Sequence, residues 1–299
     1  MKSTGHVTRF ISLVVFLLVA CSAPTATAPP PAAAQSPSRL VPSPTAQPVT
    51  NGKVDVGGYS LYLRCEGTGS PTVILDSGLD SDSSAWGTVL PRIQSFTRVC
   101  AYERAGLGRS DSAPKTPRTS IDMVTDLHNL LNNAHIEGPY VLVGASIGGF
   151  NVRLYASEYP QDVVGMVLVD ASHPDQLTRF LAALPPESPD DSAELQELRR
   201  SFSEPIQSRE GMDIEASAAE VRSTGPLGTI PLTVLTAGRA SSTEIEILLD
   251  EVWLEMQKEL AGLSSTSTHT VVPNTGHCIH CDEPEAVADA ILDVVNATR

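Results

Sequence analysis

The segment Gly144-Ala145-Ser146-Ile147-Gly148 places a hydroxyl group between two glycines, in the pattern G-x-S-x-G. It follows an apolar run at 140–144 and precedes a helical pattern at 150–158. A serine on a sharp strand-to-helix turn adopts strained backbone angles, and small neighbours keep side chains clear of it. The N-terminus of the following helix would also stabilise negative charge that develops nearby. Ser146 is therefore a candidate nucleophile.

A nucleophilic serine needs a base, and two histidines near the C-terminus are candidates. His277 follows Gly276 in a segment between the apolar run 268–272 and a helical pattern at 283–298, and His280 comes three residues later. A neutral imidazole can take the serine proton and return it to a leaving group.

The elements that must position these residues alternate between strands and helices. Several apolar runs are continuous and rich in β-branched residues, which is typical of strands buried on both faces of a parallel sheet. Helical patterns lie between them, so an α/β fold with helices on both faces is expected. The stretch 172–228 has no strand-like run and two helical patches, at 177–184 and 193–202, which predicts a helical lid. The predicted strands are 59–65, 72–76, 98–102, 140–144, 163–170, 232–236 and 268–272.

Taken in this order, the motifs resemble the α/β-hydrolase superfamily, in its esterase, lipase and epoxide-hydrolase-like branch. The resemblance covers about residues 53–299 and is weakest in the lid. It implies a mostly parallel central sheet flanked by helices, with no metal and no organic cofactor. It places the base at His277 and leaves His280 as a structural or substrate-contacting residue. Dehalogenases and epoxide hydrolases with an aspartate nucleophile are disfavoured, because serine occupies the elbow.

The superfamily offers two places for the acid that orients the base. After the penultimate strand, where the acid often lies, Glu244 is the only nearby carboxylate. Some members, including certain haloalkane dehalogenases, carry it at the end of the strand before the lid, which here implies Asp170, with Asp175 a third candidate. A carboxylate buried at a strand tip needs a partner, and the N–H of His277 could supply one. Asp170 is therefore the expected acid.

The resemblance also suggests the walls of the site. By position, the backbone N–H groups of Leu79 and Ile147 would form the oxyanion hole, although Ser77 stands where many members have histidine. Trp86 could line the acyl pocket or belong to the core. The segment 103–111 resembles a family turn with Glu103 in place of aspartate, and its expected role is structural.

Four cysteines lie in the predicted hydrolase domain. Cys65 and Cys100 would occupy neighbouring strands of this fold, so a disulfide is expected between them. Cys278 and Cys281 could form a tight second bridge. Their single C-x-x-C pattern lacks the second half of a zinc site.

The N-terminus predicts export and lipidation. Residues 1–20 carry two basic residues and then an apolar run too short to span a membrane, as in a signal peptide. The run ends in Leu18-Val19-Ala20-Cys21, which resembles the lipobox of bacterial lipoproteins and implies that Cys21 is diacylated. Ordinary cleavage near Ala26 or Ala28 is the alternative. A proline-rich linker at 21–50 would then tether a hydrolase domain at 51–299 to the outer side of the cell membrane.

The acidic composition indicates which classes of binding partner are expected. The formal net charge of −15 would repel nucleic acid, so a small ester or acyl substrate is expected instead. The resulting hypothesis is a carboxylic ester hydrolase that works through an acyl-enzyme. Two alternatives stay open: an amidase, peptidase or acyltransferase on the same scaffold, and a non-catalytic binding module of the same fold.

Overall fold

One eight-stranded sheet forms the centre of the molecule. The computed structural model describes residues 50–299. The strand order is β1-β2-β4-β3-β5-β6-β7-β8; β2 runs antiparallel to both of its neighbours, and all other adjacent pairs are parallel. The strands are β1 (Asn51–Asp55), β2 (Ser60–Glu66), β3 (Thr72–Asp76), β4 (Val99–Glu103), β5 (Tyr140–Ala145), β6 (Val163–Val169), β7 (Leu232–Gly238) and β8 (Ser267–Pro273).

This mostly parallel α/β sheet confirms the fold class expected from the sequence. All seven predicted runs are strands, and their ends differ from prediction by two residues at most. Strand β1 was not predicted, because only Val54 of its five residues is buried and the segment carries no apolar run.

Helices cover both faces of the sheet. Side chains alternate along β5, so Leu142 packs with α2 and α3 on one face while Val141 and Val143 pack with α1 and α9 on the other. The helices are α1 (Leu90–Ile93), α2 (Ser120–Asn133), α3 (Gly148–Glu158), α4 (Gln176–Ala183), α5 (Ala193–Ser203), α6 (Ile214–Arg222), α7 (Glu244–Ala261), α8 (Ile279–Asp282) and α9 (Pro284–Ala297).

The segment between β6 and β7 is helical. Its two predicted patches correspond to α4 and α5, and α6 is a third helix that the pattern did not predict. Phe180 of α4 and Phe202 of α5 pack against Leu249 and Met256 of α7, in a small core separate from the two faces of the sheet. This small core anchors the inserted helices to the helix that follows β7.

The predicted signal peptide 1–20, Cys21 and all but the last residue of the predicted linker 21–50 lie outside the described residues. From residue 50 to residue 299, no helix is both long and apolar enough to cross a membrane.

The expected disulfide between two neighbouring antiparallel strands, β2 and β4, is present. Cys65 of β2 lies directly opposite Cys100 of β4, and a disulfide joins them. A second disulfide joins Cys278 to Cys281 and closes the short turn that follows His277. The two bridges therefore restrain the β2–β4 pair and the segment that carries the candidate base.

Candidate active site

Ser146 lies on a tight turn between β5 and α3. Its φ angle is +51°, in the left-handed region that non-glycine residues rarely adopt. The flanking backbone is crowded: a Cβ on Gly144 would lie 2.6 Å from the Gly148 carbonyl oxygen, and one on Gly148 would lie 2.5 Å from the Asp76 carbonyl oxygen. Both positions therefore need glycine, and the turn holds Ser146 in a strained conformation.

The His277 side chain forms a hydrogen bond with a buried carboxylate at the carboxyl end of β6. Its Nδ1 lies 2.7 Å from Oδ2 of Asp170, which directly follows β6. A carboxylate only accepts hydrogen bonds, so Nδ1 carries the proton and Nε2 is left as an acceptor. The structure thus brings Asp170 and His277 together across 107 residues of chain.

The other oxygen of Asp170 is also fully engaged. Oδ1 accepts hydrogen bonds from the backbone N–H of Ala237 and from Nε1 of Trp253, each at 2.9 Å. The residue is 1% exposed and has a φ of +43°. Burial of a carboxylate is costly unless donors compensate it, and here three elements each supply one.

The two alternative acids lie elsewhere. Glu244 is exposed at the first residue of α7, and Asp175 forms an ion pair with Arg222 at 2.5 Å. Within residues 50–299, neither carboxylate forms a hydrogen bond or ion pair with His277. The arrangement therefore favours Asp170 among the three candidates.

Ser146 and His277 both line a cavity of about 50 Å³. Its walls are largely apolar, and within the described chain no lysine, arginine, aspartate or glutamate lines it. In the same described residues no hydrogen bond joins Ser146 Oγ to the imidazole; such bonds often shorten only when a substrate binds. The apolar wall residues are Leu79, Ile147, Leu177, Phe180, Ile206, Ile214 and Trp253.

The two predicted oxyanion residues lie beside Ser146. Leu79 and Ile147 line the cavity, and a Cβ on Gly78 would approach the Cβ of Ser146 to 3.4 Å, so the two loops are in close contact. No acceptor within residues 50–299 binds the backbone N–H of either Leu79 or Ile147. Both groups are thus available to a substrate oxygen.

Arg104 orients the loop that carries one of these donors, a role the sequence did not reveal. Its Nη2 donates to the Gly78 carbonyl and its Nη1 to the Ser77 carbonyl, each at 2.7 Å. In a trans peptide the C=O and N–H groups point in opposite directions. Because the Gly78 carbonyl faces Arg104, the Leu79 N–H of the same peptide points away from it.

Two buried carboxylates balance the charge of Arg104. Asp76 Oδ1 accepts from Nη1 at 2.6 Å, and Glu210, from the segment between α5 and α6, accepts from Nε at 2.6 Å. Burial disfavours the charged guanidinium, but the ion pair with Glu210 and then that with Asp76 outweigh it and raise the pKa of Arg104. Glu210 also accepts the Asp80 N–H at 2.9 Å, which ties the inserted helices to the same loop.

Trp253 of α7 is the second contributor that sequence analysis missed. Its indole donates to Asp170, its ring lies edge-on to the His277 ring with centroids 6.4 Å apart, and it lines the cavity. A single tryptophan within a helical pattern gives no signal for such a contact.

His280 and Trp86 belong to the core below the site. Their ring centroids are 4.6 Å apart, and neither lines the cavity. Burial, helped by His277, lowers the pKa of His280 to about 4, so this ring is neutral at pH 7. Cys278, His280 and Cys281 lie within metal-binding distance of one another, but the disulfide leaves neither sulfur as a thiolate ligand.

A family model described as "Alpha/beta hydrolase family" matches residues 73–290. Among curated proteins, the uncharacterised protein YqjL of Bacillus subtilis (strain 168) is 28% identical over 230 residues, which is 77% of this chain and 85% of that protein. The 2-(acetamidomethylene)succinate hydrolase of Mesorhizobium japonicum is 30% identical over 118 residues, 40% of this chain and 41% of that enzyme. In several other relatives the matching region spans even less of the protein's own length, down to 18%.

Solved structures show the same fold. The enol-lactonase from Burkholderia xenovorans LB400 aligns with a TM-score of 0.58 at 20% identity, over 82% of this chain and all of that chain. A thermophilic esterase from Thermogutta terrifontis aligns with a TM-score of 0.58 at 22% identity, over 85% of this chain and 99% of that chain. The sheet order, the site geometry and the family match support hydrolase activity, and the chain belongs to the alpha/beta hydrolase family.

Proposed function

We propose that the protein is a serine hydrolase that cleaves carboxylic esters through an acyl-enzyme. The observation that carries the proposal is the hydrogen bond of 2.7 Å between His277 Nδ1 and the buried carboxylate of Asp170. The imidazole of His277 lines the same cavity as Ser146. An imidazole held in this tautomer presents Nε2 as a base toward the cavity, which is what activation of a serine hydroxyl requires.

In the first half of the proposed reaction, Ser146 Oγ attacks the ester carbonyl carbon while His277 Nε2 takes the hydroxyl proton. Asp170 stabilises the imidazolium that forms and does not itself take up the proton. The negative charge that develops on the carbonyl oxygen is bound by the backbone N–H groups of Leu79 and Ile147, which have no other partner in the described chain. Donors fixed in advance contribute about 3–4 kcal/mol each to lowering such a barrier.

Collapse of the tetrahedral intermediate breaks the bond to the alcohol, which leaves with the proton held by His277. Water then enters, loses a proton to the same Nε2 and attacks the acyl carbon. The second tetrahedral intermediate releases the carboxylic acid and restores Ser146. Each step uses one proton site and one pair of N–H donors, so no cofactor is needed in the proposed mechanism.

The cavity favours an uncharged acyl group. Its walls include Leu177, Phe180, Ile206 and Ile214, and no cation in the described chain lines it that could pair with a substrate carboxylate. Its volume of about 50 Å³ fits a small group unless the helices between β6 and β7 move. Similarity to an esterase and to an enol-lactonase supports an ester bond, since a lactone is a cyclic ester. A matched panel of esters and amides separates esterase from amidase activity.

We further propose that Cys21 is lipidated and that the enzyme works outside the cytoplasm on the membrane surface. The proposal rests on the Leu18-Val19-Ala20-Cys21 sequence after the apolar run. The mature chain would carry a strong net negative charge, so an anionic leaflet would not attract it and the lipid would provide the anchor.

Active-site labelling tests the nucleophile. A fluorophosphonate probe should add one phosphonyl group to the full-length chain, on the peptide that contains Ser146, and Ser146→Ala should not be labelled. Mass spectrometry of intact and digested protein measures this. Equal labelling of both proteins, or none of the wild type, would overturn the proposal.

Replacement of the acid distinguishes the three carboxylates. Asp170→Asn should lower kcat about 10⁴-fold, because the amide no longer fixes the imidazole tautomer or stabilises the imidazolium. Glu244→Gln and Asp175→Asn, the matched controls, should stay within about two-fold of wild type. Steady-state hydrolysis of a short-chain ester gives the rates; a Glu244→Gln loss as large as that of Asp170→Asn contradicts the assignment.

The two tryptophans of the chain form a natural pair of controls. Trp253→Phe removes a hydrogen bond to a charged carboxylate and should lower kcat about ten-fold. Trp86 lies in the core, and its indole N–H has no hydrogen-bond partner in the described chain, so Trp86→Phe should lower the melting temperature and leave kcat close to wild type. Steady-state kinetics and thermal unfolding of both variants test whether the first change acts on kcat and the second on stability. If the two variants lose kcat equally, Trp253 does not position Asp170.

Metabolic labelling tests the anchor. Cells that express the full-length chain should incorporate an alkyne fatty acid into it, and Cys21→Ala should abolish incorporation while the protein is still made. Gel fluorescence after click chemistry reads this out. Incorporation that is unchanged in the variant would exclude Cys21 as the modified residue.

A further inference from the structure

Arg153 is a buried cation without a partner. It lies on α3, seven residues after Ser146, and is 6% exposed. No side-chain nitrogen of Arg153 forms a hydrogen bond or ion pair with any residue from 50 to 299, and its Nη1 is both buried and unsatisfied. The other buried arginines, Arg104 and Arg118, each have a carboxylate partner at 2.7 Å or less. An unpaired buried charge strongly destabilises a fold, so this one calls for a counter-ion.

The charged groups near Arg153 do not supply it. Asp175 lies close enough to favour the charged guanidinium, but it is more than 4 Å away and its carboxylate binds Arg222 at 2.5 Å. His173 faces the same region and pairs with Glu259 at 3.3 Å. Burial lowers the pKa of Arg153 to about 10, so the side chain still carries its charge at pH 7.

Arg153 lines a second cavity, of about 240 Å³, which we call the Arg153 cavity. It shares no lining residue with the cavity at Ser146. It opens beside Val163, where β6 begins, whereas Ser146 lies at the opposite, carboxyl end of the parallel strands. Ser157 adds a hydroxyl group, and the apolar side chains on its walls include Ala156, Leu227 and Ile230.

We propose that the Arg153 cavity binds a small organic carboxylate with a short apolar body. A guanidinium matches a carboxylate through two parallel hydrogen bonds, and within the mixed polar and apolar lining Leu227 and Ile230 offer contacts to a short alkyl chain. A single buried cation balances one negative charge. A dianion such as phosphate would leave its second charge uncompensated inside a chain whose net charge is already −15. The cavity is large enough for several waters or for a carboxylate of a few carbons.

Thermal unfolding of the full-length chain tests the proposal, with hexanoate as the probe and hexanamide as its uncharged counterpart. At ten times the dissociation constant, hexanoate should raise the melting temperature of the wild type by about 3–6 °C. Hexanamide and inorganic phosphate should not. Arg153→Met should lose the hexanoate response, and Arg64→Met, which removes an exposed arginine, should keep it.

Two further measurements keep the test decisive. Without any anion, Arg153→Met should unfold at the same temperature as the wild type or higher, because an unpaired buried charge has been removed. Arg153→Lys should bind hexanoate more weakly in calorimetry but still bind it, because the charge remains. An equal hexanoate response in wild type and Arg153→Met, no response in the wild type, or an equal response to hexanamide would overturn the proposal.

Discussion

The buried carboxylate of Asp170 is the interaction on which the arrangement of the site depends. Both of its oxygens are bound, by groups from the segment that carries His277, the end of β7 and the helix α7. Each donor comes from a different element, so the carboxylate can be buried only when the sheet, α7 and the His277 segment are all in place. The same requirement fixes the imidazole in one tautomer and one orientation. Burial of a single charge thus couples correct folding to the proposed chemistry.

A second buried charge, Arg104, holds the loop on the opposite side of Ser146 in place. Arg104 binds the carbonyls of Ser77 and Gly78 and pairs with Asp76 and Glu210. Its hydrogen bonds turn the backbone of this loop so that the Leu79 N–H faces away from the guanidinium. Since Glu210 belongs to the inserted segment, the position of that segment and the shape of the proposed oxyanion site are linked through one guanidinium. The low dielectric of the interior strengthens every contact in this group.

The two cavities differ in the charged groups that line them. The cavity at Ser146 has apolar walls, and its only ionisable lining group in the described chain is His277. The Arg153 cavity contains a cation that no described residue neutralises. Asp170 and Arg104 differ from Arg153, because each of these two buried charges has several hydrogen-bond partners within the described chain. A bound carboxylate would give Arg153 the partner that a buried charge requires, and this partner would come from solution instead of from the chain.

The local features of this protein follow directly from its amino-acid sequence. The G-x-S-x-G turn, the seven apolar strands and the helix after Ser146 depend on neighbouring residues, and their patterns were sufficient to predict them. The Cys65–Cys100 bridge required only the strand order that the family resemblance implied. In each case the deciding interactions lie within one element or between adjacent strands.

Contacts between side chains that are distant in sequence depend on the folded arrangement of the whole chain. The sequence and the family resemblance favoured Asp170 over Glu244 and Asp175, but the contact itself depends on where the chain places His277, 107 residues further on. The roles of Trp253, 83 residues from Asp170, and of Glu210, 106 residues from Arg104, left no local pattern at all. In the sequence Arg153 is an ordinary charged residue in a helical pattern, and its burial is evident only in the folded structure. Burial and long-range pairing are properties of the folded chain as a whole, so no window of sequence contains them.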